Sequence, residues 1–360
     1  MVVKALKDKG LDKNKIYVDR AIKELQVIKK QNNADYFLVE KEILDVARTE
    51  MFIGNGRGSA AGSLVVYLLK ITDIDPIIEE TIFERFLSID RKDLPDIDSD
   101  VGDRDRALEL LRNHFGSDNV LAITNYNKLQ LKSLIKDLSK LHGVPFAEAN
   151  KVTAVIESEA KKKILAENNN DQKLYDLNYE NALKHSPTFR AYVEKYPAVT
   201  EHIKALYKEV KSLGRHAGGC LIIPDAESHV PIIKSKKIDQ SPIAEGITAQ
   251  YAAYFGLVKF DVLGLATLQI MYRCVEYILQ TMGNQKPSTL DCWDFYDTFL
   301  SPSAIAKDDQ KVYENVYGNK NFPSIFQFEE TKVQDFVGKA KPKTIHEIAA
   351  ITSIFRPGPL

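Results

Sequence analysis

The feature that most constrains the fold is a long helical stretch, residues 128–212, which separates two groups of strand-like segments. Turn-forming sequences interrupt this stretch at four places, 143–145, 168–170, 186–187 and 196–197. Segments that favour strands lie on both sides of it, at 93–101, 120–124, 220–224, 247–251 and 257–263. The pattern predicts an α/β unit that is interrupted by a helical insertion and then resumed.

Length and composition narrow the class of protein. A chain of 360 residues exceeds one ordinary compact core, so we expect two or three structural units. The longest unbroken apolar run, 64–69, is far shorter than the roughly 20 residues that span a bilayer. Three widely spaced cysteines, Cys220, Cys274 and Cys292, offer neither a disulfide framework nor a thiolate zinc site. We therefore expect a cytoplasmic protein that neither spans a membrane nor is secreted.

Charge is distributed unevenly along the chain. The net charge of −1 provides no global field that would attract a polyanion. Residues 126–215, however, contain 16 Lys and Arg against 11 Asp and Glu, a surplus of +5, which leaves −6 for the rest of the chain. The helical stretch is therefore basic and its flanks are acidic.

Two aspartates, Asp96 and Asp98, lie two residues apart in the predicted strand at 93–101. Side chains at i and i+2 of a strand point to the same face, so these carboxylates should converge. Like charges held close together either share a proton or hold a divalent cation, and Mg²⁺ prefers oxygen ligands. A solvated strand edge with alternating acids, continued by Asp100, is the alternative interpretation.

A glycine- and serine-rich motif, GRGSAAGS at 56–63, lies between a short apolar segment and a predicted helix. Free backbone amides and the positive end of a helix favour a phosphate there. The motif lacks the lysine of a P-loop, and a simple tight turn is the alternative. With Asp261 as a third carboxylate on a later strand, the layout is that of metal-dependent nucleotidyl transfer. In that chemistry two cations about 3.5–4 Å apart bridge the attacking hydroxyl and the leaving pyrophosphate.

The order of the motifs resembles the bacterial replicative DNA polymerases of the DNA polymerase III alpha family over nearly the whole chain. The matching segments are GRGSAAGSLVVYLLKITDIDP (56–76), IFERFL (82–87), LPDIDSD (94–100), GRHAGGCLIIP (214–224), GLVKFDVLGLATL (256–268), IFQFEE (325–330) and FRPGPL (355–360). The resemblance implies an α/β (α+β) fold with a polymerase-beta-like nucleotidyltransferase palm containing a mixed sheet, a helical thumb insertion and partial, mostly helical fingers. The implied domains are palm at 1–125 and 214–264, thumb at 126–213 and fingers at 265–360.

The resemblance also implies roles for individual residues, each matched to a motif of the family. Two Mg²⁺ ions are held by three aspartates, Asp96, Asp98 and Asp261, and Lys259 lies beside them. Nucleotide-binding positions are Gly58, Ser59, Arg85 and Arg356. Structural interpretations remain open, because Lys259 could simply pair with an acid and both arginines could form structural salt bridges. We expect His216 to pack against the sheet, since no His or Cys lies at zinc-ligand spacing.

The basic segment is where the family has its thumb, which contacts duplex DNA. Lysines spaced four residues apart favour one helix face that follows phosphates: Lys128, Lys132, Lys136 and Lys140. A solvated helix face is the alternative, and it is the one we prefer for the lysines at 161–163.

Together these observations predict template-directed DNA synthesis by a bacterial or phage enzyme that adds deoxynucleoside triphosphates to a primer on template DNA. A catalytically silent DNA-binding fragment and an untemplated nucleotidyltransferase are the alternatives. Family members also contain a histidine-rich PHP domain, further fingers, a clamp-binding segment and an OB-fold. We therefore expect a fragment or a split gene product, with a companion chain that supplies the missing fingers and clamp-binding parts.

Overall fold

The chain divides into two compact units in the computed structural model. The structure describes residues 1–89, 95–169, 174–235, 238–244, 257–323, 325–328 and 330–355. The first unit comprises Met1–Thr124 and Arg215–Ile345, and the second comprises Asn125–Gly214 and His346–Leu360. Within the described residues, no helix is both long enough and apolar enough to cross a membrane.

Helices make up most of the regular structure. In chain order they are α1 Val2–Asp8, α2 Lys15–Lys30, α3 Ala34–Arg48, α4 Leu64–Leu68, α5 Arg104–Phe115, α6 Leu131–Leu141, α7 Phe146–Glu167, α8 Tyr179–His185, α9 Pro187–Lys195, α10 Pro197–Leu206, α11 Ala226–His229, α12 Ala266–Thr281, α13 Thr289–Phe299, α14 Gln310–Val312, α15 Thr331–Ala340 and α16 Ile345–Ile354. Short 3₁₀ turns occur at Gly58–Gly62, Phe83–Arg85 and Ser117–Asn119, and a π-helical turn at Tyr313–Gly318.

Within the described residues, six strands form one mixed sheet. They are β1 Asp98–Val101, β2 Val120–Lys128, β3 Val210–Ile222, β4 Ile233–Ser235, β5 Ile238–Ala244 and β6 Lys259–Gly264. Their order across the sheet is β1-β6-β3-β2-β5-β4. The pairs β1–β6 and β2–β5 are parallel, whereas β3–β6 and β4–β5 are antiparallel. The mixed sheet with a helical segment inserted between β2 and β3 confirms the predicted fold class.

Some predicted strands have different bounds in the structure. The strand expected at 93–101 begins only at Asp98, so Asp96 precedes it, and residues 93–94 lie outside the described residues. The strand expected at 220–224 begins ten residues earlier, at Val210. The strand expected at 247–251 lies outside the described residues.

The first unit has its main core between the sheet and helices α3 and α5. Buried side chains recur at every third or fourth position of α3, and two of them, Ile43 and Ala47, belong to one apolar cluster with Val101 of β1 and Val262 of β6. The rings of Tyr36 in α3 and Phe260 in β6 stack with their centroids 5.5 Å apart. This packing covers the face of the sheet that carries Val101, Phe260 and Val262.

The second unit, considered separately, is built on helices α6–α10. Their apolar side chains form one buried cluster that includes Ile135, Ile156, Phe189 and Ile203. Helices α9 and α10 begin with proline. Proline suits the first helical position because the N–H that it lacks would have no partner within the helix there. The breaks between these helices fall at the four turn-forming sequences identified above.

A fully buried carboxylate, Glu24 of α2, holds the start of α4. Its oxygens accept hydrogen bonds from Ser63 Oγ at 2.7 Å, from the Leu64 amide at 3.0 Å and from the Val65 amide at 2.9 Å. Arg20 neutralises it through an Nε–Oε1 contact of 2.6 Å. Buried charge is tolerated only when it is paired and hydrogen-bonded. Glu24 therefore fixes the segment that follows the 3₁₀ turn Gly58–Gly62, which we call the glycine turn.

We expect Glu24→Gln to lower the free energy of unfolding by about 3 kcal/mol, because it removes one partner of a buried ion pair. Urea denaturation of the purified chain measures this change. The matched control is Glu227→Gln, since Glu227 is an exposed acid in the same unit. Equal stability of the two variants would contradict the structural role given to Glu24.

Candidate active site

Two aspartates meet side by side on adjacent parallel strands. Asp98 of β1 pairs in register with Asp261 of β6, and residues at paired positions point to the same face. Asp100 lies two residues further along β1 and therefore shares this face. Asp96 is exposed on the segment before the strand. The tertiary structure thus brings Asp98 and Asp261 together although 162 residues separate them in sequence.

The Asp261 carboxylate is buried, with only 6% of the residue exposed. Its Oδ2 lies 2.7 Å from Lys259 Nζ, whereas its Oδ1 has no hydrogen-bond partner within the described part of the chain. Space beside Oδ1 exists because β3 has glycines there. A methyl group added at Gly218 or Gly219 would lie 3.4 Å from this oxygen. A buried, unpaired carboxylate oxygen with glycine rather than a side chain beside it is a ready ligand for a cation.

The Asp98 carboxylate is half-buried at the same face. Burial raises its pKa above the ordinary aspartate value, and the nearby charges of Asp96 and Asp261 raise it further. Arg57 and Lys259 act in the opposite direction. The site therefore concentrates negative charge that two basic side chains only partly offset, which is the situation in which a divalent cation binds favourably.

The glycine turn packs directly on the strand that carries these acids. A methyl group added at Gly58 would lie 3.6 Å from Asp98 Oδ2, and one at Gly54 would lie 2.9 Å from Asp100 Cβ. Arg57, between them, forms a 3.0 Å ion pair with Asp100 and lies over the ring of Phe326. Glycine is therefore needed at Gly54, where any side chain would collide with β1.

The N-terminal end of helix α4 does not provide the phosphate site expected from the sequence. The amides of Leu64 and Val65 donate to Glu24, and the Val66 amide donates to Ser63 Oγ. These groups are already paired, so a phosphate cannot use them. The candidate seat is instead the 3₁₀ turn Gly58–Gly62 itself, which contains Gly58 and the half-buried Ser59.

The remaining predicted site residues differ in their position. Arg85 is exposed at the end of the 3₁₀ turn Phe83–Arg85, and the preceding Ile82 approaches Gly62 closely. His216 Nδ1 accepts hydrogen bonds from the amides of Gly218 and Gly219, at 3.2 and 2.7 Å, as expected of a histidine that packs against the sheet. Arg356 lies outside the described residues.

Sequence reasoning missed one titratable group beneath the site. Glu40 of α3 is fully buried, its Oε1 accepts a hydrogen bond from Ser99 Oγ of β1, and its Oε2 has no partner in the described structure. Burial raises the pKa of Glu40 to about 8, and the carboxylates of Asp261, Asp98 and Asp96 contribute to the increase. The hydrogen bond from Ser99 lowers this pKa, but by less than burial raises it. The sequence signal for Glu40 is an acidic residue at a position of α3 whose neighbours at helical spacing are apolar.

A divalent cation fits the pair Asp98 and Asp261. Their hard oxygen donors, the unpaired Oδ1 and the space left by the β3 glycines suit such an ion. Within the described residues, no three Asp, Glu, His or Cys side chains are gathered closely enough to hold one metal ion. Asp96 therefore contributes nearby charge, and its role as a third ligand stays a prediction.

The lysines of the basic segment do not all lie on one helix. Lys128 is the last residue of β2, which corrects its placement on the helix face, because α6 begins only at Leu131. Lys132, Lys136 and Lys140 lie on α6 and are exposed. Lys132 forms a 2.8 Å ion pair with Glu157 of α7.

The mixed sheet and its paired acids beside a glycine turn are consistent with a polymerase-beta-like nucleotidyltransferase fold. Residues 2–264 match the family profile "Bacterial DNA polymerase III alpha NTPase domain", and residues 267–360 match "Bacterial DNA polymerase III alpha subunit finger domain". The chain belongs to the bacterial DNA polymerase III alpha subunit family.

Several curated proteins named "DNA polymerase III subunit alpha" are similar to this chain. The protein from Ureaplasma parvum is 32% identical over 349 residues, which cover 96% of this chain and 33% of that protein. The one from Mycoplasma genitalium is 31% identical over 99% of this chain and 38% of its own length. The one from Campylobacter jejuni is 28% identical over 100% of this chain and 29% of its own length. The chain thus spans about a third of the curated relatives that it matches.

The pKa of Glu40 predicts a pH dependence of stability. An unfolded chain releases this proton near the ordinary value of 4.5, whereas the folded protein holds it until about pH 8. Between these values the folded state binds the additional proton, so its stability falls as pH rises. We expect wild type to lose stability relative to Glu40→Gln between about pH 5 and pH 8. Urea denaturation at several pH values measures this, and parallel curves for the two proteins would contradict it.

Proposed function

We propose that this chain contributes the nucleotidyl-transfer site of a bacterial or phage template-directed DNA polymerase in the cytoplasm. The observation that carries the proposal is the register of Asp98 and Asp261, whose carboxylates meet beside a glycine turn. The family membership supports the same reaction. The substrates are deoxynucleoside triphosphates and primer-template DNA, and the reaction is attack of the primer 3′-hydroxyl on the α-phosphate with release of pyrophosphate.

Asp98 and Asp261 would hold the divalent cation, with Asp96 as the proposed third carboxylate. When bound, two Mg²⁺ ions lower the pKa of the attacking hydroxyl and neutralise the leaving pyrophosphate. Lys259 holds Asp261 through a 2.7 Å ion pair to Oδ2 and so keeps the carboxylate in place. The other oxygen, Oδ1, has no partner within the described residues and would be the ligand.

The glycine turn is the proposed seat of the triphosphate. Gly58 lies beside Asp98 and Ser59 follows it in the turn, so a bound triphosphate would be close to the acidic pair. Arg85, at the end of the 3₁₀ turn Phe83–Arg85, would add positive charge at the rim. We retain Arg356 as a proposed contact to the nucleotide. Together these groups orient the α-phosphate and stabilise charge that develops on it.

The division of the chain into domains forms part of the proposal. The palm corresponds to 1–125 and 214–264, the thumb to 126–213 and the fingers to 265–360. The compact second unit and its exposed lysines on α6 support a thumb that contacts DNA phosphates. The two family profiles meet near residue 265, which supports placing the start of the fingers there. A companion chain that supplies further parts stays a prediction.

Primer extension by the purified protein distinguishes this proposal from its two alternatives. We expect incorporation to follow the template base when Mg²⁺ and all four nucleotides are present. Incorporation independent of the template would indicate an untemplated nucleotidyltransferase. Duplex binding with no incorporation would indicate a silent DNA-binding fragment.

Substitution of the paired aspartates tests the site itself. Asp98→Asn and Asp261→Asn should each reduce extension by at least about 10³-fold, because the lost negative charge removes a ligand of the cation. Fluorescence anisotropy of labelled primer-template should show unchanged DNA affinity. Asp12→Asn, at an exposed acid in the loop after α1, is the matched control and should extend normally. Extension retained by both site variants would refute the assignment.

The thumb assignment predicts a salt-dependent loss of DNA binding. Lys136→Ala combined with Lys140→Ala removes two exposed charges from one face of α6. If both contact phosphates, affinity should fall equally for all sequences, and the slope of log K against log salt should decrease by about 2. The matched control is Lys162→Ala with Lys163→Ala on α7. An equal loss of DNA affinity in the two double variants would indicate that the lysines of α6 form a solvated surface without specific phosphate contacts.

A further inference from the structure

The segment before the glycine turn is held by a hydrogen bond from a distant helix. Tyr296 of α13 is 2% exposed, and its hydroxyl donates to Asn55 Oδ1 at 2.5 Å. The two residues are 241 positions apart in sequence. Tyr296 lies in the part of the chain that matches the family's finger domain, whereas Asn55 lies in the part that matches the NTPase domain.

The backbone of Asn55 is also fixed. Its carbonyl accepts hydrogen bonds from the Asp73 amide at 2.8 Å and from Thr72 Oγ1. Gly56 follows with φ +139° and packs so closely on Thr72 that a methyl group there would lie 2.2 Å from Thr72 Oγ1. Both backbone and side chain of Asn55 are therefore anchored only three residues before Gly58.

Helix α13 reaches this segment through a buried aromatic cluster. The ring of Phe52 lies 5.0 Å from that of Tyr296, 4.8 Å from that of Trp293 and 5.1 Å from that of Tyr272, centroid to centroid. A further residue from the finger-matched part, Phe326, lies under the Arg57 guanidinium, with 5.5 Å between the guanidinium carbon and the ring centroid. Contacts from that part therefore surround the segment that leads into the glycine turn.

We infer that Tyr296 is a positioning residue for nucleotide binding, which holds the glycine turn in place through its hydrogen bond to Asn55. This inference rests on the proposed function, in which the turn receives a triphosphate. A loop that is already ordered loses less conformational entropy when a ligand binds, so the anchor strengthens binding without contacting the nucleotide. The same bond makes the position of α13 sensitive to the occupancy of the turn.

The experiment compares two tyrosine variants that each lose one hydroxyl from the same aromatic cluster. Tyr296→Phe removes the bond to Asn55. Tyr272→Phe is the matched control, because its hydroxyl bonds to Thr289 Oγ1 at 3.2 Å and its ring also contacts Phe52. The readout is the affinity of the full chain for a fluorescent deoxynucleoside triphosphate with Mg²⁺, measured by equilibrium titration, with thermal stability recorded in parallel.

We expect Tyr296→Phe to weaken nucleotide binding about fivefold, the effect of one hydrogen bond of about 1 kcal/mol, and Tyr272→Phe to leave it unchanged. Asn55→Ala should weaken it similarly, and the double variant should be no weaker than either single one, because both remove the same bond. If both tyrosine variants lose stability but bind the nucleotide with equal affinity, the role of Tyr296 is structural only.

The possible failures are distinguishable. If wild type binds nucleotide and all variants bind equally well, this inference is wrong and the proposed function stands. If the effects of Asn55→Ala and Tyr296→Phe on affinity are additive, the two residues do not act through their bond, and the inference is also wrong. If wild type itself binds no nucleotide, the proposed function fails, and the inference fails with it.

Discussion

The structure depends on one electrostatic constraint: two carboxylates, Asp98 and Asp261, are held side by side on neighbouring strands. Such a pair repels itself, and burial in a low-dielectric environment strengthens the repulsion. Lys259 offsets part of the charge at 2.7 Å, yet Asp261 Oδ1 is left without a partner in the described structure. The sheet thereby maintains an arrangement that a divalent cation would stabilise, which is the physical basis for assigning chemistry to this face.

The glycine turn is placed against these acids by polar anchors at both of its ends. Glu24 fixes the residues after the turn by accepting hydrogen bonds from Ser63, Leu64 and Val65. Asn55 fixes the residues before it by bonding to Tyr296. Glu24 also uses the amides at the start of α4, so the helix end stabilises the fold and is unavailable to a ligand. Just before the first anchor, Gly54 allows the backbone to approach β1, because a methyl group there would lie 2.9 Å from Asp100 Cβ.

Much of this arrangement was predictable, because it follows from local patterns. The helical breaks at 143–145 and 196–197 carry turn chemistry that acts within a few residues, and they occur where expected. The strand bounds were less predictable: β1 begins at Asp98 because its pairing with β6 starts there, which no local pattern specifies. Lys128 was misplaced for the same reason, since its spacing to Lys132 fits a helix but the residue pairs within a sheet.

The sequence alone determined the residue types and the order of the elements. These included acids at alternate positions before Val101, a glycine-rich turn before a buried helix and a basic helical insertion between strands. Only the tertiary structure decided which side chains meet. Strand pairing brings Asp261 to Asp98, burial turns Glu40 into an acid with a pKa of about 8, and folding brings Tyr296 to Asn55. Periodicity reports which face a residue occupies, whereas contacts between distant segments depend on packing of the whole unit.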